Sequence, residues 1–275
     1  MKQQTVNVSQ IRENGLLVVS DLSLSFGGIQ ALASVGFHVS RGEILGIIGP
    51  NGAGKTSLLN CITGFYRPQQ GEIFLDRENI TRVRPDRIVR AGIVRTFQRD
   101  ELFKELSTLE NLLMARHIYA TCGVLRAVLY VPWGRRQEIQ SRQGVDEVLH
   151  YLDLGSYRGK IVGSLPYGIQ KKVGLARALV MKPKMLLLDE PTAGMTRKEK
   201  EEMMNVLLNI NSLSGLGVTI LLIEHDMEVV MGLAKRLIVL NFGEKIEEGL
   251  PKEIARSPKV IEAYLGKQES TGNGN

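Results

Sequence analysis

A chain of 275 residues with 43% hydrophobic and 23% charged residues can bury a real core and is too apolar for disorder. Its formal charge of +6 is interleaved with acids, as from Arg197 to Glu202, and no aromatic-basic module accompanies it, which argues against a nucleic-acid partner. The longest apolar runs, Met185 to Leu188 and Val218 to Ile223, are strand-sized and far short of the roughly 20 residues a membrane span needs.

Met1 to Gln10 is polar and lacks the apolar stretch of a secretory signal. The two cysteines, Cys61 and Cys122, have no metal-like spacing and read as free thiols of a reducing compartment. No internal repeat is present. Strand-like and helix-like segments alternate, which predicts an α/β fold with a mostly parallel sheet covered by helices.

Glu43 to Ile48 is an apolar run leading into a glycine-rich turn. Leu58, Leu59 and Ile62 then recur at helical spacing, and Gly64 ends that helix. Gly71 to Leu75 reads as a strand. From Asp100 to Leu165 the pattern turns helical, with Val145, Val148, Leu149 and Leu152 on one face, and predicts a helical insertion. Within it, Val124 to Trp133 is unusually apolar, either a docking patch or a core helix. Strands return at Met185 to Leu188, Val218 to Ile223 and Leu237 to Leu240. Thr196 to Glu199 fits a capping box, and Met203, Val206, Leu207 and Ile210 give the buried face of the next helix. Gln268 to Asn275 reads as a frayed tail.

The turn Gly49-Pro50-Asn51-Gly52-Ala53-Gly54-Lys55-Thr56 satisfies the P-loop pattern, with Ser57 opening the helix behind it. A triphosphate must be wrapped by backbone N–H groups, and glycines at 49, 52 and 54 keep side chains out of the way. The helix N-terminus favours anions. Lys55 is placed to bridge the β- and γ-phosphates and Thr56 to put its hydroxyl on Mg²⁺. Met185 to Glu190 is an apolar strand ending in two carboxylates at the edge where open α/β sheets bind ligands. Asp189 is expected to hold Mg²⁺ through its water shell, and Glu190 to orient and deprotonate the attacking water.

With these residues in place, the chain from Leu16 to Leu265 resembles the ATP-binding subunits of ABC transporters, its motifs standing in the family's order. Gln98, in Val94 to Gln98, matches the Q-loop. Leu165, Pro166, Tyr167, Gly168 and Ile169 match the signature motif. His225 matches the switch histidine, and Phe26 the aromatic that stacks on adenine. The resemblance implies a RecA-like P-loop NTPase core with an antiparallel β subdomain and an inserted α-helical subdomain. It divides the chain into a tail (1–15), an ATP-binding core (16–98 and 172–250), a helical subdomain (99–171), a C-terminal helical segment (251–267) and a disordered end (268–275). It assigns catalytic roles to Glu190, His225, Lys55 and Gln98, and Mg²⁺ contacts to Thr56, Gln98 and Asp189.

Two positions depart from the family pattern. Pro166 stands where a serine usually contacts the γ-phosphate of the opposing subunit's ATP, so that contact is lost. The N–H donors around Gly168 and the helix dipole stay available. Thr196 stands where many members have an aspartate. Phe26 to Gly28, Asn60 to Tyr66, Leu222 to Met227 and Val260 to Gly266 look like the subfamily for branched-chain amino acid uptake, the LivG-like group. That likeness implies two membrane permeases, a second identical or homologous ATPase subunit, an extracytoplasmic solute-binding protein, and a place on the cytoplasmic face of the cell membrane. Other solutes, urea and lipopolysaccharide among them, and a soluble ABC ATPase outside transport are the alternatives.

Overall fold

The computed structural model describes residues 15–96, 102–116, 133–212 and 216–265, with backbone alone for 133–141. Its main sheet has six strands. β3 (Ile44–Ile48), β6 (Ile93–Thr96), β7 (Met185–Asp189), β8 (Thr219–Ile223), β9 (Arg236–Asn241) and β10 (Glu244–Gly249) lie in the order β10-β9-β3-β8-β7-β6. Every pairing is parallel except the β9–β10 hairpin at one edge.

β3, β7 and β8 are buried at every residue. That is why their sequences are continuous apolar runs rather than alternating ones: helices cover both faces of the sheet. The parallel arrangement has a direct consequence for chemistry. Chain leaving β3, β6, β7 and β8 emerges from one and the same edge, so segments distant in sequence are gathered there.

The second sheet is antiparallel, in the order β2-β1-β4-β5, with β1 (Gly15–Phe26), β2 (Ile29–Ser40), β4 (Gln70–Leu75) and β5 (Glu78–Asn79). β2 alternates buried and accessible residues over its second half, as a sheet with one covered face does. Gly27 and Gly28 form the two-residue turn that pairs Phe26 with Ile29. This sheet is stitched to the main one at the β9–β10 turn, where the Gly243 N–H bonds to the Ala53 carbonyl and its own carbonyl accepts from Ala33.

The helices are α1 (Lys55–Ile62), α2 (Pro85–Ala91), α3 (Thr108–Arg116), α4 (Trp133–Tyr151), α5 (Tyr167–Leu179), α6 (Arg197–Asn211), α7 (Met227–Leu233), α8 (Pro251–Ile254) and α9 (Pro258–Leu265). One apolar cluster runs from Leu112 on α3 and Val145 and Leu149 on α4, through Val173 on α5, to Leu186, Leu188 and Ile220 of the sheet. A second fills the other face, joining Leu58 and Ile62 of α1 to Ile47, Leu187 and Leu221 and to the antiparallel strands. A small third cluster places Ile254 and Val260 of α8 and α9 with Ile48 of β3 and Val239 of β9. Cys61 is buried in the second cluster, and burial pushes its thiol up to about 12, so it is inert.

Local signals explain the helix starts. Thr196 accepts from the Glu199 N–H while the Glu199 carboxylate accepts from the Thr196 N–H, the reciprocal cap expected there. Ser107 and Glu110 make the same exchange before α3. Asp226 caps α7. Among the described residues, no helix is long and apolar enough to cross a membrane. The Val124 to Trp133 stretch lies outside the described side chains, as does Cys122.

Candidate functional site

β3 ends at Ile48 and the chain turns through three glycines at positive φ: Gly49 at 151°, Gly52 at 80° and Gly54 at 98°. The need differs at each. A Cβ on Gly49 would collide with the Leu240 carbonyl of β9, and one on Gly54 with the Ala31 carbonyl of β2. At Gly52 the space is open, and only the backbone conformation demands glycine. α1 then starts at Lys55 with no side-chain cap, so its first-turn N–H groups have no side-chain acceptor.

Lys55 lies folded over this loop, its Nζ donating to the Gly49 carbonyl at 2.6 Å and the Pro50 carbonyl at 2.9 Å. Burial lowers its pKa, while the charges of Glu190 and Asp189 oppose that shift. An open cavity of about 340 Å³ is lined by Asn51 to Ser57 on one side and by Asp189, Glu190 and Ile223 on the other, with Ile29 to Ala31 of β2 at its rim. The structure therefore brings the expected loop and the expected carboxylates to one cavity.

The two carboxylates differ in kind. Asp189 is 4% exposed, and its Oδ2 accepts from the Arg95 guanidinium of β6 at 2.7 Å. Arg95 donates its other terminal nitrogen to Oδ1 of Asn60 on α1, also at 2.7 Å. Glu190 is more open and sits at a φ of 49°, its N–H bonded to the Ile223 carbonyl of β8. A non-glycine residue in that region is uncommon, and the bond to β8 holds it there. The exposed His225 Nδ1 is 3.6 Å from Glu190 Oε1, near but beyond hydrogen-bond length. Beside it, Glu224 is buried, and its carboxylate takes the Thr192 N–H and hydroxyl and the His225 N–H.

Oxygen donors suited to Mg²⁺, the Thr56 hydroxyl and the Asp189 carboxylate, line the same cavity as the phosphate-binding loop. That donor set fits an ion carried mainly by substrate phosphates, with one or two protein oxygens. Gln98, the third expected contact, lies outside the described residues.

Pro166 is the N-cap of α5, with the Ile169 and Gln170 N–H groups bonded back to its carbonyl. Leu165 is buried, and the Tyr167 hydroxyl donates to the Ala193 carbonyl at 3.2 Å. The Glu199 carboxylate packs so close to Gly168 that a Cβ there would overlap it. None of the five residues from Leu165 to Ile169 lines the loop cavity. Phe26 is 48% exposed and meets the edge of Tyr66, ring centres 5.1 Å apart; it stands on the hairpin whose next residues form the cavity rim.

Sequence reasoning missed Arg95, Asn60 and Glu224 as partners of the site, and the contact of Glu199 with Gly168. A signal existed for Arg95, since an arginine within a buried strand requires an acidic partner. Burial raises the pKa of Tyr264 on α9. It lies one helical turn beyond Val260, which packs with Ile48.

Residues 32–193 match the family described as ABC transporter, and residues 244–270 match the one described as branched-chain amino acid ATP-binding cassette transporter. The high-affinity branched-chain amino acid transport ATP-binding protein BraF of Pseudomonas aeruginosa is 39% identical over 252 residues, 92% of this chain and 98% of that protein. The protein LivG of Escherichia coli K12, with the same description, matches at 39% over 252 residues and the same coverage. Among solved structures, the ADP conformation of MJ1267, an ATP-binding cassette of an ABC transporter, superposes with a TM-score of 0.79 at 33% identity, covering 92% of this chain and 99% of that one. The expected P-loop α/β architecture with a second, antiparallel sheet is what the strands form. The chain belongs to the ABC transporter family and is one of its ATP-binding, ATP-hydrolysing subunits.

Proposed function

We propose that this subunit powers the uptake of branched-chain or related amino acids through two partner permeases, from the cytoplasmic face of the membrane. The observation that carries this reading is the 39% identity to BraF and LivG over 92% of the chain. The separate match of residues 244–270 supports it, because it lies outside the general cassette.

The site residues divide the work. Backbone N–H groups from Asn51 to Ser57 wrap the triphosphate, and Lys55 exchanges its two loop carbonyls for the β- and γ-phosphates. Thr56 and Asp189 would supply oxygens to Mg²⁺. When bound, Mg²⁺ would supply positive charge that offsets the charge of the phosphates. Glu190 takes the proton of the attacking water, and His225, across 3.6 Å from it, steadies the γ-phosphate end. Phe26 offers its ring to adenine.

Leu165 to Ile169 serve the ATP of a second ATPase subunit, identical or homologous. Their absence from the loop cavity supports a site completed across two chains. An apolar cavity of about 550 Å³ between the sheet edge and the helical region, with Phe65, Phe103 and Met114 exposed on it, supports permease docking there. An extracytoplasmic binding protein delivers the solute to those permeases.

The test is uptake of labelled leucine and urea by cells whose only high-affinity system is this subunit with its permeases and binding protein. Leucine uptake that disappears in Glu190→Gln supports the reading. Leucine uptake that persists in that variant, or ATP-dependent uptake of urea alone, overturns it.

A further inference from the structure

The Arg95–Asp189 pair raises a physical question. Both side chains are almost wholly buried, and a buried ion pair is weak evidence of stabilisation, because apolar residues of the same volume often do as well. The placement of the guanidinium offers a better reason. One arm of Arg95 holds Oδ2 of Asp189 at the end of β7, and the other holds Oδ1 of Asn60 on α1. α1 is the helix whose first turn carries Lys55 and Thr56. Arg95 is thus a rigid planar link between the two elements that bear the oxygens facing the phosphate cavity, and it leaves Asp189 Oδ1 as the oxygen not paired with it.

We propose that Arg95 is a positioning residue that fixes Asp189 relative to Thr56, so that both can serve Mg²⁺ at once. The inference rests on the reading of Thr56 and Asp189 as the metal-facing oxygens. Arg95 itself does not line the phosphate cavity. Residues that hold a metal ligand from behind set its aim and its basicity, and their loss weakens metal binding more than it weakens the rest of the site.

The experiment measures ATP affinity of the full chain by titration calorimetry, once in EDTA and once with Mg²⁺, alongside thermal unfolding. Arg95→Met is expected to keep its EDTA affinity within about twofold and to lose about tenfold of the gain that Mg²⁺ gives. Arg95→Lys, which keeps the charge but cannot fork, falls between wild type and Arg95→Met. An unchanged Mg²⁺ gain overturns the proposal. Equal losses with and without Mg²⁺ overturn it too, since they mark a purely structural role. Should Arg95→Met fail to fold, Asn60→Ala keeps the ion pair and cuts only the link to α1, with an expected loss of about threefold in the Mg²⁺ gain. No loss there also overturns the proposal. Asp189→Asn separates the two layers: a full Mg²⁺ gain in that variant refutes the metal reading itself, whereas a loss there with none in Arg95→Met refutes the role of Arg95 alone.

Discussion

Thr192 directs both its backbone N–H and its hydroxyl at one oxygen, Oε1 of the buried Glu224, at 3.0 and 2.6 Å. Thr192 follows Glu190 by two residues, and Glu224 precedes His225. The pair therefore clamps together the two loops that carry the carboxylate and the histidine. Thr192→Val removes the hydroxyl from a buried carboxylate and should cost about 1–3 kcal/mol of stability. Chemical denaturation measures that loss. ATPase assays should show turnover falling more than ATP affinity, because the loops loosen while the phosphate-binding loop does not.

Glu190→Gln separates binding from chemistry. The side chain keeps its size, and its N–H bond to Ile223 is unaffected. ATP affinity should hold while hydrolysis drops by about 10²–10⁴-fold, the usual contribution of a positioned base. Near-normal phosphate release would remove Glu190 from that role.

The contact of Glu199 with Gly168 leads to a gain-of-function expectation. A carboxylate stands at the N-terminal turn of α5, where a phosphate from a second subunit would arrive, and its pKa is held low by the Thr196 N–H and hydroxyl. It is therefore charged at neutral pH and repels that phosphate. Glu199→Gln, placed in the Glu190→Gln background, should strengthen ATP-dependent dimerisation several-fold. Sedimentation across a concentration series reads the effect, and weaker association would refute it.

Acid sensitivity follows from Asp226. A hydrogen bond from Lys200 of α6 holds its pKa below the usual carboxylate range, aided by the N–H groups of Glu228 and Val229. The folded value lies below the unfolded value of about 3.9. Its contribution is therefore whole above about pH 4 and is lost as pH falls through the folded value. Asp226→Ala should be less stable than wild type by about 1 kcal/mol at neutral pH, the loss of an N-cap. That gap should narrow steadily on acidification in urea titrations, and a constant gap would count against the linkage.

How much of this was legible beforehand depended on distance along the chain. The phosphate loop could be read because strand, glycines, lysine and helix are contiguous, and its physics is local. The buried strands showed themselves because both faces are covered, which forces unbroken apolar runs. The capping box at Thr196 spans three residues and was equally plain. The partners that tune the site were hidden for the opposite reason. Arg95 meets Asp189 across 94 positions and Thr192 meets Glu224 across 32, pairings that exist only once the parallel strands have assembled. The Glu199 carboxylate beside Gly168 was hidden in the same way.

The packing of Val260 on α9 with Ile48, the residue just before the phosphate loop, has a practical side. Every nucleotide-facing residue identified in the chain precedes β10, so a shortened version ending there would look complete to anyone scanning for motifs. It would nonetheless lack the Val260 packing against Ile48. Affinity handles and fluorescent fusions placed after Leu265 sit at the end of the helix that carries Val260. An unexplained drop in nucleotide affinity after such cloning is therefore a property of the design at the carboxyl end, and moving the handle to the other terminus is the remedy.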